Sequence, residues 1–316
     1  ADDGNTYYTN LDGVLQKGIT KIGEDYYFLG ERTGRLVTGW INADDGNTYY
    51  ANNLGIVQHG IQIIDGQKYL FSDTGEWQSG WQVIDGDTYY YDLNRNKLTG
   101  LQVIAGIKYL FNSKGVLLKS NVSKIIDVSV WQKEIDWDLV ASSDVDGSII
   151  RLGYGTSYVT DACVLDNQFF NNYVGSKKNN LLKGIYFYSY AIDFVSANKE
   201  AEFVLSMLKQ YNVSKDVIIY YDLESNNWTK DLTKEQYDVI VKAFTSLIES
   251  NGYKVSIYSY KYWAEMKFSD FVKSKLDWIA HYADDCAYNG TYNGWQYTSS
   301  GIVPGIDGNV DLNVFW

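Results

Sequence analysis

Along the first 120 residues the apolar positions come in short aromatic bursts separated by turn-forming polar clusters. The bursts are Tyr7-Tyr8, Tyr26-Tyr27-Phe28, Tyr49-Tyr50, Tyr69-Leu70-Phe71, Tyr89-Tyr90-Tyr91 and Tyr109-Leu110-Phe111. Alternating with them are glycines followed by an apolar residue, Gly18-Ile19, Gly39-Trp40, Gly60-Ile61, Gly80-Trp81 and Gly100-Leu101, at steps of 21, 21, 20 and 20 residues. The octapeptide ADDGNTYY stands at residues 1–8 and again at 43–50, two such steps apart. Short aromatic strands broken by Asx-Gly dipeptides predict β-hairpins. A lone hairpin cannot bury its apolar face, so six units of 20–21 residues predict a stacked β-hairpin solenoid over residues 1–120.

The periodicity then stops. Runs rich in Val, Ile and Tyr predict strands at 125–131, 148–154, 183–191, 216–224, 254–260, 276–282, 294–298 and 310–315. Helical patterns fall between several of them, at about 161–175, 197–211 and 233–250. The last opens on Thr233-Lys-Glu-Gln236, a capping-box signature. Strands alternating with helices predict a (β/α) barrel. The later segments leave little room for helices. The fold expected is therefore multidomain, with N-terminal β-hairpin repeats and a C-terminal α/β TIM-like barrel with incomplete helices over residues 124–316.

Composition narrows the function. A net charge of −12 disfavours nucleic acid, whose affinity comes mainly from phosphate neutralisation, and disfavours anionic membranes. No apolar run reaches the ~20 residues that span a bilayer. The chain opens inside a repeat unit, as expected of a trimmed or mature fragment. Two cysteines, Cys163 and Cys286, are too few for a disulfide framework or a zinc site, and two histidines argue against His-dependent nucleophilic chemistry. No metal or cofactor is expected. The 29 Tyr and 10 Trp suit the binding of sugars or cations.

The C-terminal ends of barrel strands carry the chemistry of such folds. Four carboxylates fall there: Asp127 on the first strand, Asp222 and Glu224 on the fourth, and Asp311 on the last. Asp222 and Glu224 are two residues apart, so strand alternation points both the same way. Like charges held close raise one pKa, and a protonated acid beside an ionised one is the equipment for glycosidic cleavage. Aromatics that could stack on sugars stand at other strand ends: Trp131, Tyr154, Tyr188, Tyr190, Tyr258, Trp278, Tyr282 and Trp295.

The segments IIDVSVWQKEIDWDLV, IIRLGYG, YYDLE and GWQYTSSGIVPGIDGNVDLNVF, in this order, resemble glycoside hydrolase family 25, the lysozymes of N-acetylmuramidase type. The resemblance spans residues 124–316. It implies cleavage of the β-1,4 bond from N-acetylmuramic acid to N-acetylglucosamine in peptidoglycan. It further implies Glu224 as general acid, Asp222 as its acidic partner, and Asp127 and Asp311 as the other pocket carboxylates. Arg151, the only Arg in this half, is implied to hold the acids in place. Tyr154, Tyr188, Tyr190, Tyr258, Tyr282 and Trp295 are the candidate sugar contacts. The chain departs from the family at Tyr186-Phe187-Tyr188, where a Tyr-His-Phe motif is common. The adjacency of Asp222 and Glu224 favours participation of the substrate's own 2-acetamido group over a carboxylate nucleophile.

The repeats are similar to cell-wall-binding, or choline-binding, repeats, in which Trp and Tyr box a quaternary ammonium. Trp follows the repeat glycine only at Trp40 and Trp81, so binding is expected at few units. The candidate wall-ligand residues are Trp40, Trp77, Trp81 and Tyr90, with the best cage near Trp77, Trp81 and Tyr89–Tyr91. The partners implied are peptidoglycan strands and a wall polymer carrying choline, teichoic acid or another glycan. The setting implied is secretion to a Gram-positive cell wall, as autolysin or phage endolysin. The competing reading is a non-catalytic adhesin that only holds wall glycan.

Overall fold

The computed structural model describes residues 3–155 and 163–316. The chain divides into two compact units. One comprises Ala1–Gln102 with Phe111–Leu117, the other Val103–Leu110 with Leu118–Trp316.

The first unit is made of antiparallel hairpins. These are β1 (Gly18–Ile22) with β2 (Asp25–Leu29), β3 (Gly39–Asn42) with β4 (Thr48–Ala51), β5 (Gly60–Ile64) with β6 (Gln67–Phe71), and β7 (Gly80–Ile84) with β8 (Asp87–Tyr91). The periodicity ends in three further strands, β9 (Gly100–Ile104), β10 (Ile107–Phe111) and β11 (Leu117–Ser120). Residues 3–17 form isolated bridges rather than a hairpin.

Two turn chemistries generate the repeat. Within hairpins, Asp65-Gly66, Asp85-Gly86 and Ala105-Gly106 all have positive φ, the two-residue turn whose twist matches paired strands. Between hairpins, the side chains of Asn10, Asn52, Ser72, Asp92 and Asn112 each accept backbone N–H groups from residues two and four further on. Adjacent hairpins then share cores. Phe28 joins Ile41, Tyr49, Ala51 and Val57, and Ile64, Tyr69 and Phe71 join Ile84 and Tyr91. The duplicated octapeptide repeats one local hydrogen bond, although only the second copy enters a hairpin. The Tyr7 hydroxyl donates to Asp3 at 2.6 Å and the Tyr49 hydroxyl to Asp45 at 2.8 Å.

In the second unit, eight strands close on themselves. They are β12 (Ser123–Val128), β13 (Gly147–Tyr154), β15 (Leu182–Tyr188), β16 (Ile218–Asp222), β17 (Lys254–Tyr260), β18 (Leu276–Ala280), β19 (Gly294–Gly301) and β20 (Val310–Phe315), with β14 (Val164–Leu165) appended to β13. β12 pairs with both β13 and β20, which closes the ring. The strands run parallel from β12 to β19, and β20 runs antiparallel to both its neighbours. Around the ring lie α1 (Trp137–Ala141), α2 (Phe169–Lys178), α3 (Phe194–Gln210), α4 (Lys234–Ser250), α5 (Lys261–Lys267) and α6 (Asp270–Lys273). Among the described residues no helix follows β18 or β19.

All eight strand segments read from the sequence are present. The helix expected at about 161–175 differs. Its first residues, 161 and 162, lie outside the described residues, Val164–Leu165 pairs with Gly153 and Tyr154 as a strand, and the helix starts only at Phe169. α4 carries the expected capping box between Thr233 and Gln236. Cys163 and Cys286 are free thiols. Ile125, Ile149, Tyr220, Tyr258, Trp278 and Ala280 form one buried cluster, to which Tyr186, Ile218, Tyr260 and Phe315 add. They occupy alternate strand positions and so fill the barrel interior.

The repeat turns offer a test. Gly75 has φ +92°, and a Cβ there would lie 2.5 Å from Val57 Cγ1, whereas Gly80, at φ +80°, faces open space. Gly80→Ala is expected to cost about 1–2 kcal/mol from backbone strain alone. Gly75→Ala is expected to cost about 1–3 kcal/mol more through overpacking. Urea denaturation followed by near-ultraviolet circular dichroism measures both, and equal losses would refute the packing argument.

Candidate active site

Strand alternation builds the site directly on the barrel core. Asp127 follows Ile125 by two residues, Arg151 follows Ile149, Tyr188 follows Tyr186 and Asp222 follows Tyr220, so a polar layer stacks on an aromatic one. Asp311 is the second residue of β20 and is registered opposite Asp127. It reaches the same mouth because its strand runs backwards. The sequence groups it with the carboxylates at the C-terminal ends of the strands; it does lie at that mouth, but near the start of its strand. β16 ends at Asp222, so Glu224 lies beyond the paired ladder. The continuation stays extended because Leu223 N donates to Tyr258 O (2.9 Å), Ser259 Oγ to Leu223 O (2.6 Å) and Thr229 Oγ1 to Glu224 O (2.7 Å). The four carboxylates line one cavity of about 180 Å³ together with Arg151, Tyr186, Tyr188, Tyr258, Trp278, Tyr282 and Gln296.

Each acid meets a different environment. Asp127 is buried, and its Oδ2 accepts from Gln296 Nε2 and Asn313 Nδ2, both at 2.9 Å. Both amides have fixed orientation. Gln296 Oε1 accepts the hydroxyls of Tyr258 (2.8 Å) and Tyr282 (3.0 Å), and Asn313 Oδ1 accepts the indole N–H of Trp278 (2.7 Å). Their NH₂ groups therefore face the carboxylate. Burial raises Asp127 to about 6 against the pull of these two donors. Asp222 is buried, and its Oδ1 has no hydrogen-bond partner among the described residues. Burial, then the charges of Glu224 and Asp127, push its pKa well above the usual range, while Arg151 pulls it down. Glu224 rises to about 7, mainly through burial and also through Asp127, with the Tyr258 hydroxyl opposing. Asp311 rises to about 8, through burial first and then Asp127 and Glu224. Four acids so placed cannot all ionise near neutral pH.

Several sequence-predicted residues take other roles. Arg151 lines the cavity, where its charge lowers the pKa of Asp222, and its Nε donates to Asp166 Oδ2 at 2.7 Å. Asp166 also accepts backbone N–H groups from Val130 and Gln168. Tyr188, Tyr258 and Tyr282 line the cavity. Tyr154 lies against the Arg151 guanidinium (5.7 Å) and Tyr190 packs edge-on to Tyr188 (5.2 Å), both outside the lining. Trp295 is buried with its indole N–H on His281 O at 2.8 Å. It is not a cavity wall, because its neighbour Gln296 takes the inward position on β19. Sequence reasoning missed Gln296, Asn313 and Asp166. The first two follow from extending the alternation along β19 and β20.

In the repeats, Trp40 meets Tyr50 at 5.2 Å, and Trp81 meets Tyr90 at 5.1 Å in the same edge-on manner. Trp77, grouped with Trp81 in the sequence, stands against Trp40 at 6.4 Å. Among the described residues no group of three or more His, Cys, Asp or Glu is arranged to hold a metal ion, and no helix is long and apolar enough to cross a membrane.

The raised acids make stability pH-dependent with a definite sign. A carboxyl such as Asp311, raised on folding from 3.8 to about 8, keeps its proton in the folded chain after the unfolded chain has lost it. Stability therefore falls as pH climbs through that interval. Asp311→Asn removes this cost. Its melting temperature is expected to match the parent near pH 4 and to exceed it increasingly towards pH 8, as read by thermal denaturation across pH. A constant difference would refute the assignment.

Comparison with known proteins gives the context. The family described as Glycosyl hydrolases family 25 matches residues 126–306, more than half of the chain, and that described as Choline-binding repeat matches residues 59–95. The uncharacterized protein YegX of Escherichia coli (strain K12) is 30% identical over 194 residues, 60% of this chain and 68% of that protein. The autolytic lysozyme of Clostridium acetobutylicum is 29% identical over 193 residues, 61% of this chain and 55% of that protein. The structure of the modular autolysin LytC from Streptococcus pneumoniae covers 98% of this chain and 84% of its own, with a TM-score of 0.63 at 23% identity, a likeness of fold. With these acids gathered at the mouth of a closed barrel, the chain belongs to glycosyl hydrolases family 25, a glycoside hydrolase of the muramidase type that carries choline-binding repeats.

Proposed function

We propose that the chain cleaves the β-1,4 bond between N-acetylmuramic acid and N-acetylglucosamine in peptidoglycan, with residues 124–316 as catalyst and residues 1–120 as wall-targeting module. The observation that carries the mechanism is the Asp222–Glu224 pair in one small cavity, with Glu224 raised to about 7 and one Asp222 oxygen without a hydrogen-bond partner among the described residues. Glu224 donates its proton to the leaving glycosidic oxygen as the bond to the anomeric carbon breaks. The carbonyl oxygen of the substrate's 2-acetamido group bonds to that carbon, and Asp222 accepts the acetamido N–H. Glu224, now ionised, takes a proton from the water that opens this intermediate, so configuration is retained. Asp127, ionised above about 6, stabilises the cationic sugar electrostatically, while Asp311, which keeps its proton to about 8, lines the pocket as a neutral acid. Tyr188, Tyr258 and Tyr282 supply sugar-facing surface.

The repeats raise the local concentration of a polymeric substrate through weak, repeated contacts. The match to choline-binding repeats and the fold shared with a modular autolysin support a site of action at the cell wall. We place it outside a Gram-positive cell, the chain serving as autolysin or endolysin.

Glu224→Gln is expected to lower clearing of Gram-positive cell walls about 100- to 10,000-fold, the usual contribution of a general acid, without loss of folding. Unchanged clearing would assign catalysis elsewhere, and no clearing by the parent chain would favour a binding protein. The rate is expected to fall as pH rises past about 7, where Glu224 loses its proton. Asp127→Asn removes a charge that raises Glu224, so the alkaline limb of its residual activity should move to lower pH. An unmoved limb would place that ionisation on another group. Inversion of the product anomer by NMR would remove the acetamido route.

A further inference from the structure

In the turns between repeats, the residue three after the Asx or Ser is held at positive φ. It is Gly13, Gly55, Gly75 and Gly115 in four of them, with φ between +75° and +92°. In the turn opened by Asp92 it is Arg95, at φ +70°. The backbone is the same, since Asp92 Oδ1 accepts from Asn94 and Asn96 as its counterparts do. An arginine in the left-handed region is strained where glycine is not. Something must hold it there.

Its side chain supplies the reason. The Arg95 guanidinium carbon lies 4.7 Å from the centre of the Trp40 ring, and one of its nitrogens lies 3.5 Å from Asn42 Oδ1. Around Trp40 stand Tyr50, Tyr69 and Trp77, at 5.2, 5.0 and 6.4 Å and steeply inclined at 66°, 76° and 87°. Phe71 adds a fourth ring at 5.8 Å, inclined by 31°; an indole set among aromatic rings, three of them edge-on, is a geometry that receives a cation. Here the cation comes from the chain itself, two hairpins further along.

We propose that the Trp40 centre is a quaternary-ammonium cage whose occupant is built in, Arg95 filling the place that choline or a similar wall-polymer headgroup would take. This repeat is thereby removed from wall binding and turned into a structural clasp between non-adjacent hairpins. The inference rests on the choline-type reading of the repeats and is independent of the catalytic barrel.

Arg95→Gly tests it with little risk to folding, because glycine is the residue of the other turns. Calorimetric titration of the full chain with choline chloride is expected to show one more bound choline in Arg95→Gly than in the parent. The gained site should vanish on adding Trp40→Ala and survive on adding Trp81→Ala. Arg95→Lys, which keeps a cation in reach, should behave as the parent. An unchanged stoichiometry in Arg95→Gly overturns the proposal, even if the parent binds choline elsewhere and the choline-type reading stands. Loss of a bound choline on Trp40→Ala with Arg95 in place also overturns it. Binding by Arg95→Gly but not by the parent would uphold the self-filled cage while showing that the intact repeats do not target the wall through choline.

Discussion

The barrel half depends on one electrostatic constraint: four carboxylates share a cavity of about 180 Å³ whose floor is Trp and Tyr. Burying like charges beside an apolar floor is costly, and the surroundings distribute that cost unevenly. Asp127 receives two amide donors, each oriented by an aromatic N–H or O–H from the layer beneath. Asp222 receives none on one oxygen from the described residues. Glu224 and Asp311 keep their protons towards neutral pH. The core is therefore more than support. Trp278 and Tyr258 fill the barrel and, by their polar tips, decide which acid is the best solvated by protein.

This arrangement needs the topology it sits on. Period-two alternation places each acid two residues above a core residue, and closure through β12 brings the first and last strands together. The reversal of β20 matters as much. A parallel last strand would carry Asp311 near its start and so to the opposite end of the barrel. Antiparallel pairing with β12 sets Asp311 across from Asp127, and the loss of a crossover helix before β20 follows, because antiparallel neighbours need none.

Legibility in the sequence followed the same physics. The eight strands were visible because each is a compact apolar run, and the hairpins because their turn residues recur at fixed steps. The acids were visible because carboxylates are rare within such runs. What stayed hidden depended on parity or on distant partners. Trp295 reads as a sugar platform until β19 is phased by Gln296, which faces Asp127 and so turns the indole outward. Asp166, fifteen residues on from Arg151 and outside any motif, was hidden as the carboxylate that holds its guanidinium. The strand at Val164–Leu165 carries too few residues to show a period.

The repeat half obeys a contrasting rule, and Arg95 shows why. In a solenoid most contacts join neighbouring hairpins, but Arg95 reaches past one hairpin to Trp40, so a change in one turn alters the valence of another unit. Avidity multiplies weak sites, and a module that binds its polymer too tightly would hold an enzyme at one place on the wall. Occupying one aromatic cage from within lowers the number of contacts while keeping the packing that the cage aromatics provide. The strain of an arginine at φ +70° is then the local cost of a fixed valence, set by a single codon in a turn where glycine would suit the backbone better.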